Sequence, residues 1–186
     1  MSYRRKTLLT PEEYLAVERK SEIKHEYFAG EIFAMVGASK RHNLITANAI
    51  RILGNQLADR PCNVYPSDMR VKVSSTGKYT YPDVVVACAE EEFDDAEKDT
   101  LLNPVVIIEV LSESTEAYDR GKKFEQYQHI ESLTEYLLIT QEPYRIEQYV
   151  RQSNREWRYS EYHDADDEVI ISVIGSKSEG VNPKPR

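Results

Sequence analysis

The chain has 186 residues, 40% of them hydrophobic and 30% charged, with a net charge of −8. That length suits one domain with a substantial core, and the composition is that of a globular protein in water. No apolar run approaches the ~20 residues that span a bilayer, which excludes a helical membrane protein. The acidic balance weighs against extensive phosphate contact.

In chain order, the N-terminal MSYRRKTLLTPEEY has basic residues but no long apolar segment after them, unlike a secretory signal. Thr10-Pro11-Glu12-Glu13 has the form of a capping box with proline at the first helical position, so a short helix to about Lys20 is expected. KHEYFAGEIFAMVG reads as a hairpin turning at Ala29-Gly30. From Ser39 to about Ala58, Ile45, Ala49, Ile52, Leu53 and Leu57 recur at helical spacing. Strands are expected near 62–65, 68–74, 79–88 and 104–111, with 68–74, 79–88 and 104–111 as neighbours in one sheet. A helix over 114–130 then crosses one face of that sheet. TEYLLIT at 134–140 reads as a strand, and YRIEQYVRQ, EWRYSEYH and EVIISVI as an antiparallel extension. This order argues for an α/β chain with a mixed sheet and helices on both faces. The expected layout is a single domain over 1–175 and a flexible tail over 176–186.

Cys62 and Cys88 show no metal-ligand spacing and are expected as reduced thiols in a cytoplasmic protein. The acidic runs at 89–99 and 161–168 read as solvated loops. No glycine-rich phosphate loop, nucleophile elbow or zinc-ligand pattern is present.

Two carboxylates interrupt otherwise apolar strands. Asp83 opens VVVAC, and Glu109 sits inside VVIIEVL. An uncompensated buried charge costs several kcal/mol or shifts its pKa. Each acid therefore needs water, a cation or a metal beside it. Two carboxylates converging at a sheet edge make a hard oxygen site suited to Mg²⁺ or Mn²⁺.

Pro82-Asp83 followed by an apolar strand carrying Glu109 resembles the PD-(D/E)XK nuclease superfamily. The stretches HEYFAGEIFAMVGASKRHN, YPSDMRV, YPDVVVA, NPVVIIEVLSEST, DRGKKFEQYQ and LTEYLLI more closely resemble the Uma-two-type restriction endonuclease family. The resemblance implies a restriction-endonuclease-like core with a C-terminal antiparallel β extension. It also implies Mg²⁺-dependent (or Mn²⁺-dependent) hydrolysis of DNA, with Asp83 and Glu109 as metal ligands and DNA as the partner. A homodimer is expected, since duplex cleavage often uses two-fold symmetry.

The superfamily carries a lysine two residues after the second acid, where this chain has Leu111. Lys122 and Lys123 on the following helix are the substitutes. At 100° per residue Lys123 shares a sector with Asp119, Tyr127 and Ile130, so it borders the packed face, while Lys122 faces solvent. His42, in the first turn of its helix, is a further catalytic candidate or else caps the core. Glu26 and Glu31 read as surface acids, one of them kept as a site acid by resemblance. Asp68 is a weaker candidate, and Tyr127 reads as a core aromatic with its hydroxyl at the rim. The alternative is a catalytically inactive nuclease-fold protein acting as a DNA- or protein-binding dimer.

Overall fold

The structure is a computed structural model that describes residues 8–153, 156–164 and 167–172. Thr10 caps helix α1, Pro11–Glu18, through the reciprocal bonds of a capping box with Glu13. A hairpin follows, β1 His25–Phe28 and β2 Glu31–Ala34. Ala29 (φ 49°) and Gly30 (φ 88°) both take the left-handed conformation that a tight hairpin turn requires. Ser39 then caps the longest helix, α2, Lys40–Gln56, by accepting from the His42 N–H.

The remaining strands divide between two sheets. β4 Arg70–Val73, β5 Lys78–Thr80 and β7 Thr100–Leu101 join the hairpin in a five-stranded sheet ordered β2-β1-β5-β4-β7. β3 Cys62–Pro66, β6 Val84–Cys88, β8 Val106–Val110, β9 Glu135–Ile139, β10 Ile146–Ser153 and β11 Glu156–Tyr162 form a six-stranded sheet ordered β11-β10-β9-β8-β6-β3. β6 and β8 are neighbours, as expected, but the 68–74 strand lies in the other sheet. The expected strand over 79–88 breaks at Tyr81-Pro82-Asp83. Proline has no N–H for a ladder, and the chain uses that gap to pass from β5 in one sheet to β6 in the other.

β8 and β9 are parallel and need a crossover. It consists of α3 Glu116–Tyr118, a π-helical turn Asp119–Lys123, and α4 Phe124–Tyr127. On one face of the six-stranded sheet, Ile45, Ala49 and Leu53 of α2, with Leu57 just after it, pack on Val84, Val86, Val106 and Ile108. On the other face, Phe124, Tyr127 and Ile130 pack on Val85, Ile107, Tyr136 and Leu138. A third cluster of Tyr14, Leu15, Tyr27 and Tyr79 fastens α1 to the five-stranded sheet.

Three further expectations need correction. Cys62 and Cys88 stand opposite each other in the β3–β6 register and are joined as a disulfide. The 89–99 run is not only a solvated loop, because its acids are tied back onto the fold. Asp99 pairs with Arg19 and Arg70, and Asp94 with Lys72. The described part of EVIISVI, residues 168–172, makes no strand, although Val169 and Ile171 are buried on either side of exposed Ile170. Gln148 donates to the Ile170 carbonyl there, in place of a ladder. The tail expected over 176–186 lies outside the described residues.

Candidate active site

The break at Pro82 places the first carboxylate. Asp83 lies just outside the β6 ladder, and its Oδ2 accepts the Val110 N–H at 2.7 Å. The side chain thus takes over the donor that the interrupted strand leaves on β8. The register pairs Val84 with Ile108 and Val85 with Ile107. Carried one residue further, it sets Asp83 opposite Glu109. His42, from the first turn of α2, brings Nε2 to 3.0 Å from Asp83 Oδ2. Its Nδ1 is buried without a hydrogen-bond partner.

Glu109 shares a face of β8 with Ile107 and so points at the crossover helix. It is 3% exposed. Tyr127 donates to its Oε1 at 2.9 Å, and the Lys123 ammonium is 2.8 Å from the same oxygen. Burial pushes the Glu109 carboxyl up to about 8 against the pull of Lys123, with Asp119 and Asp83 adding to the rise. Lys123 is itself buried, which alone would lower its pKa. The charges of Glu109, Glu26 and Asp119 reverse that and hold it well above the ordinary value. The site therefore keeps a permanent ammonium in a low-dielectric setting.

Glu26 completes the centre from the five-stranded sheet. Its Oε2 accepts from Lys78 and from Tyr118, both at 3.0 Å. Its Oε1 accepts from Thr80 and lies 3.5 Å from Lys123 Nζ. Burial would raise its carboxyl, but Lys123 and Lys78 outweigh it and hold the group down at about 2. Asp119, one helical turn before Lys123, adds a third carboxylate at 3.5 Å from that ammonium, and burial raises its pKa.

The two sheets and the crossover helix thus meet at one cluster that contains Asp83, Glu109, Lys123 and His42. Glu26 is a correction: it is a buried member of the centre, not a surface acid. Local pattern gives no sign of this, because both Glu26 and Tyr27 are buried in β1. Asp119 was noticed only as a helical neighbour of Lys123. Glu31 begins the edge strand β2. Asp68 is 81% exposed and pairs with Lys24 at 2.6 Å, away from Asp83. It sits in the turn between β3 and β4, which do not pair with each other. Lys122 is exposed.

The family model described as "Uma2: Putative restriction endonuclease" matches residues 11–177. The chain belongs to this family. Two Synechocystis relatives, "Uncharacterized protein sll1609" and "Uncharacterized protein slr1290", are 39% and 38% identical over 167 residues. Each match covers 90% of this chain, and 94% and 86% of the relative respectively. Among solved structures, the crystal structure of "a putative nuclease belonging to DUF820" from Anabaena variabilis superposes with a TM-score of 0.74. It is 18% identical, and the match covers 94% of this chain and 96% of that one, a likeness of fold alone. Family membership and that likeness place the chain among proteins of restriction-endonuclease-like fold.

The donor set fits a hard divalent cation. Asp83 and Glu109 offer carboxylates on adjacent strands. The Val110 N–H and His42 engage Oδ2 of Asp83, Tyr127 and Lys123 engage Oε1 of Glu109, and both residues line an open groove. Among the described residues no group of three or more His, Cys, Asp or Glu is placed to hold a metal. An ion here would complete its shell with water and substrate oxygens, as Mg²⁺ commonly does.

Proposed function

We propose that this chain is a metal-dependent endonuclease that hydrolyses DNA phosphodiester bonds. The observation that carries the reading is a buried ammonium, Lys123, 2.8 Å from one of two carboxylates that face each other across neighbouring strands. Asp83 and Glu109 would hold Mg²⁺ or Mn²⁺. When bound, that ion acidifies a water molecule and offsets charge on the phosphoryl group.

The protein's own groups do the rest. The Val110 N–H and His42 fix one oxygen of Asp83. Tyr127 fixes Oε1 of Glu109 in the same way. Lys123 supplies a positive charge that needs no reorganisation as negative charge builds on the phosphate or on the attacking oxygen. Glu26, itself held by Lys78 and Tyr118, lies 3.5 Å from that ammonium and helps to fix its position. In this reading the helix lysine replaces the strand lysine of the superfamily. Plasmid DNA incubated with Mg²⁺ or Mn²⁺ should be nicked or linearised, and the Asp83→Ala protein should leave it intact. A wild-type protein that leaves plasmid intact with both ions would end this reading.

The second reading is a catalytically inactive nuclease-fold protein that binds DNA or a protein partner, as a dimer. It draws on the net charge of −8 and on Leu111 in the strand-lysine position. The same plasmid assay separates the two.

A further inference from the structure

The β1–β2 hairpin forms one wall of the groove in front of Asp83 and Glu109. Phe28 is 37% exposed and Phe33 50% exposed. Large apolar side chains at that exposure lose the benefit of burial, and here two aromatic ones share one wall. Their placement is defined by the register. Phe33 lies opposite Glu26, and Phe28 lies two residues beyond Glu26 on β1. All three therefore share one face, and the two rings line the groove beside the acid that contacts Lys123. Phe28 and Phe33 are diagonal neighbours on that face, within reach of one bound group. Among the described residues, neither ring stacks on another aromatic of the chain.

Charge points the same way. The rim cations of this groove are Lys24, Arg41, Lys122 and Arg145. Lys24 is paired with Asp68, Arg41 with Glu142 and Arg145 with Glu147. A smooth duplex is held chiefly by phosphate contacts to free cations, and this rim offers few. Single strands also use basic grooves, but stacking of unpaired bases on aromatic rings adds affinity that a paired duplex cannot draw on.

We infer that Phe28 and Phe33 form a stacking subsite for an unpaired nucleobase, so that the preferred substrate is single-stranded or locally unpaired DNA. This rests on the nuclease reading above and narrows its substrate class. A second copy of the chain docking on β2 is the competing occupant, but the rings face into the groove, beside the acids, and not along the outer edge.

The test is binding, kept separate from cleavage. Fluorescence anisotropy in EDTA compares the full chain on a short labelled oligothymidylate and on an uninterrupted duplex of the same length. The single strand should bind about tenfold tighter or more. Phe28→Ala and Phe33→Ala should each weaken single-strand binding by about 5- to 150-fold, and Phe33→Trp should retain it. Duplex binding should change by less than about twofold in all three variants. Equal affinity for the two forms, alanine variants that match the wild type, or no binding of either form would overturn the inference. So would a wild-type dimer in sedimentation velocity that Phe33→Ala converts to monomer. Loss of plasmid cleavage with the stacking signature intact would remove the nuclease reading and leave the subsite standing.

Discussion

Replacing Lys123 by methionine tests the electrostatic reading of the centre directly. Methionine keeps most of the stem and deletes the ammonium. Three buried carboxylates then lose a partner at 2.8, 3.5 and 3.5 Å. Glu26 gives one measure of the loss. Its carboxyl is held at about 2 against an ordinary 4.5, which corresponds to about 3 kcal/mol of stability at neutral pH. The Lys123 charge is the largest single attraction behind that depression, with the Lys78 charge next, so part of it is at stake. Glu109 and Asp119 add their own unpaired burial. Breaking a buried ion pair by removing one partner costs about 3–5 kcal/mol. A loss of about 3 kcal/mol at pH 7 is expected, because protonation of Glu109 absorbs part of the penalty. A domain of ordinary stability, about 5–15 kcal/mol, survives that loss.

The pH dependence follows from the signs. A depressed carboxyl stabilises the fold above its unfolded pKa, and that contribution disappears as pH falls through the folded value. The wild-type advantage from Glu26 should therefore be full above about pH 4.5 and shrink on acidification toward pH 2. Glu109 behaves oppositely. Its raised folded pKa means stability is lost as pH rises through it, and without Lys123 it rises further. The gap between variant and wild type should be flat from about pH 5 to 8 and widen above pH 8. Urea denaturation followed by the single tryptophan, Trp157, reads this well. That ring packs edge-on against Phe124, one residue from Lys123. A loss below about 1 kcal/mol at pH 7, or a gap that ignores pH, would refute the buried-ammonium argument.

Asp83→Ala and Glu109→Ala should each abolish Mn²⁺ binding in isothermal titration, and binding unchanged in Glu109→Ala would remove the shared site. His42→Ala should weaken plasmid cleavage less than either acid change, because Asp83 keeps its bond from the Val110 N–H; an equal loss would promote His42 to direct contact with substrate or ion. Lys122→Ala should leave cleavage intact and alter stability by less than about 0.5 kcal/mol, as expected for an exposed side chain. Reduction of the Cys62–Cys88 bridge, which spans a sequence separation of 26, should lower stability by about 3–4 kcal/mol; identical urea midpoints with and without dithiothreitol would show that the bridge contributes nothing.

Much of the fold was legible because local signals were strong. The capping box at Thr10, the hairpin turn at Ala29-Gly30 and the four-residue spacing of Ile45, Ala49, Leu53 and Leu57 each have one structural solution. The second sheet was not legible. β5 and β6 are separated by three residues and read as one apolar strand, since pairing partners distant in sequence leave no local trace. The expected neighbourhood of 68–74 and 79–88 holds as the β4–β5 hairpin, but nothing nearby says that this hairpin pairs with β1 in a separate sheet. Glu26 was misread for a related reason. Its compensation comes from Lys78, Thr80, Tyr118 and Lys123, which lie 52 to 97 positions later in the chain. The two cysteines were judged by compartment, whereas their juxtaposition is a matter of β3–β6 register.

The position of the lysine can be argued from the strand itself. Residues 109 and 111 fall on the same face, because side chains alternate along an extended chain. Leu111 continues the ladder, donating its N–H to the Ile139 carbonyl at 2.8 Å, and its side chain is buried in the same apolar cluster as Phe124 and Tyr127. A lysine at 111 would therefore start on the face that Lys123 now supplies from the helix, and both ammoniums would compete for Glu109. Two ammoniums against that wall would also repel, and the second would have no counterpart in the apolar cluster. Leucine at 111 and lysine at 123 are thus two halves of one arrangement. The strand provides the packing surface, and the π-helical turn Asp119–Lys123 carries the charge over it to the carboxylates. An exchange variant, Leu111→Lys with Lys123→Leu, should recover part of the cleavage that Lys123→Leu loses. No recovery from a folded exchange protein would mean that the lysine's route, and not only its charge, matters to the site.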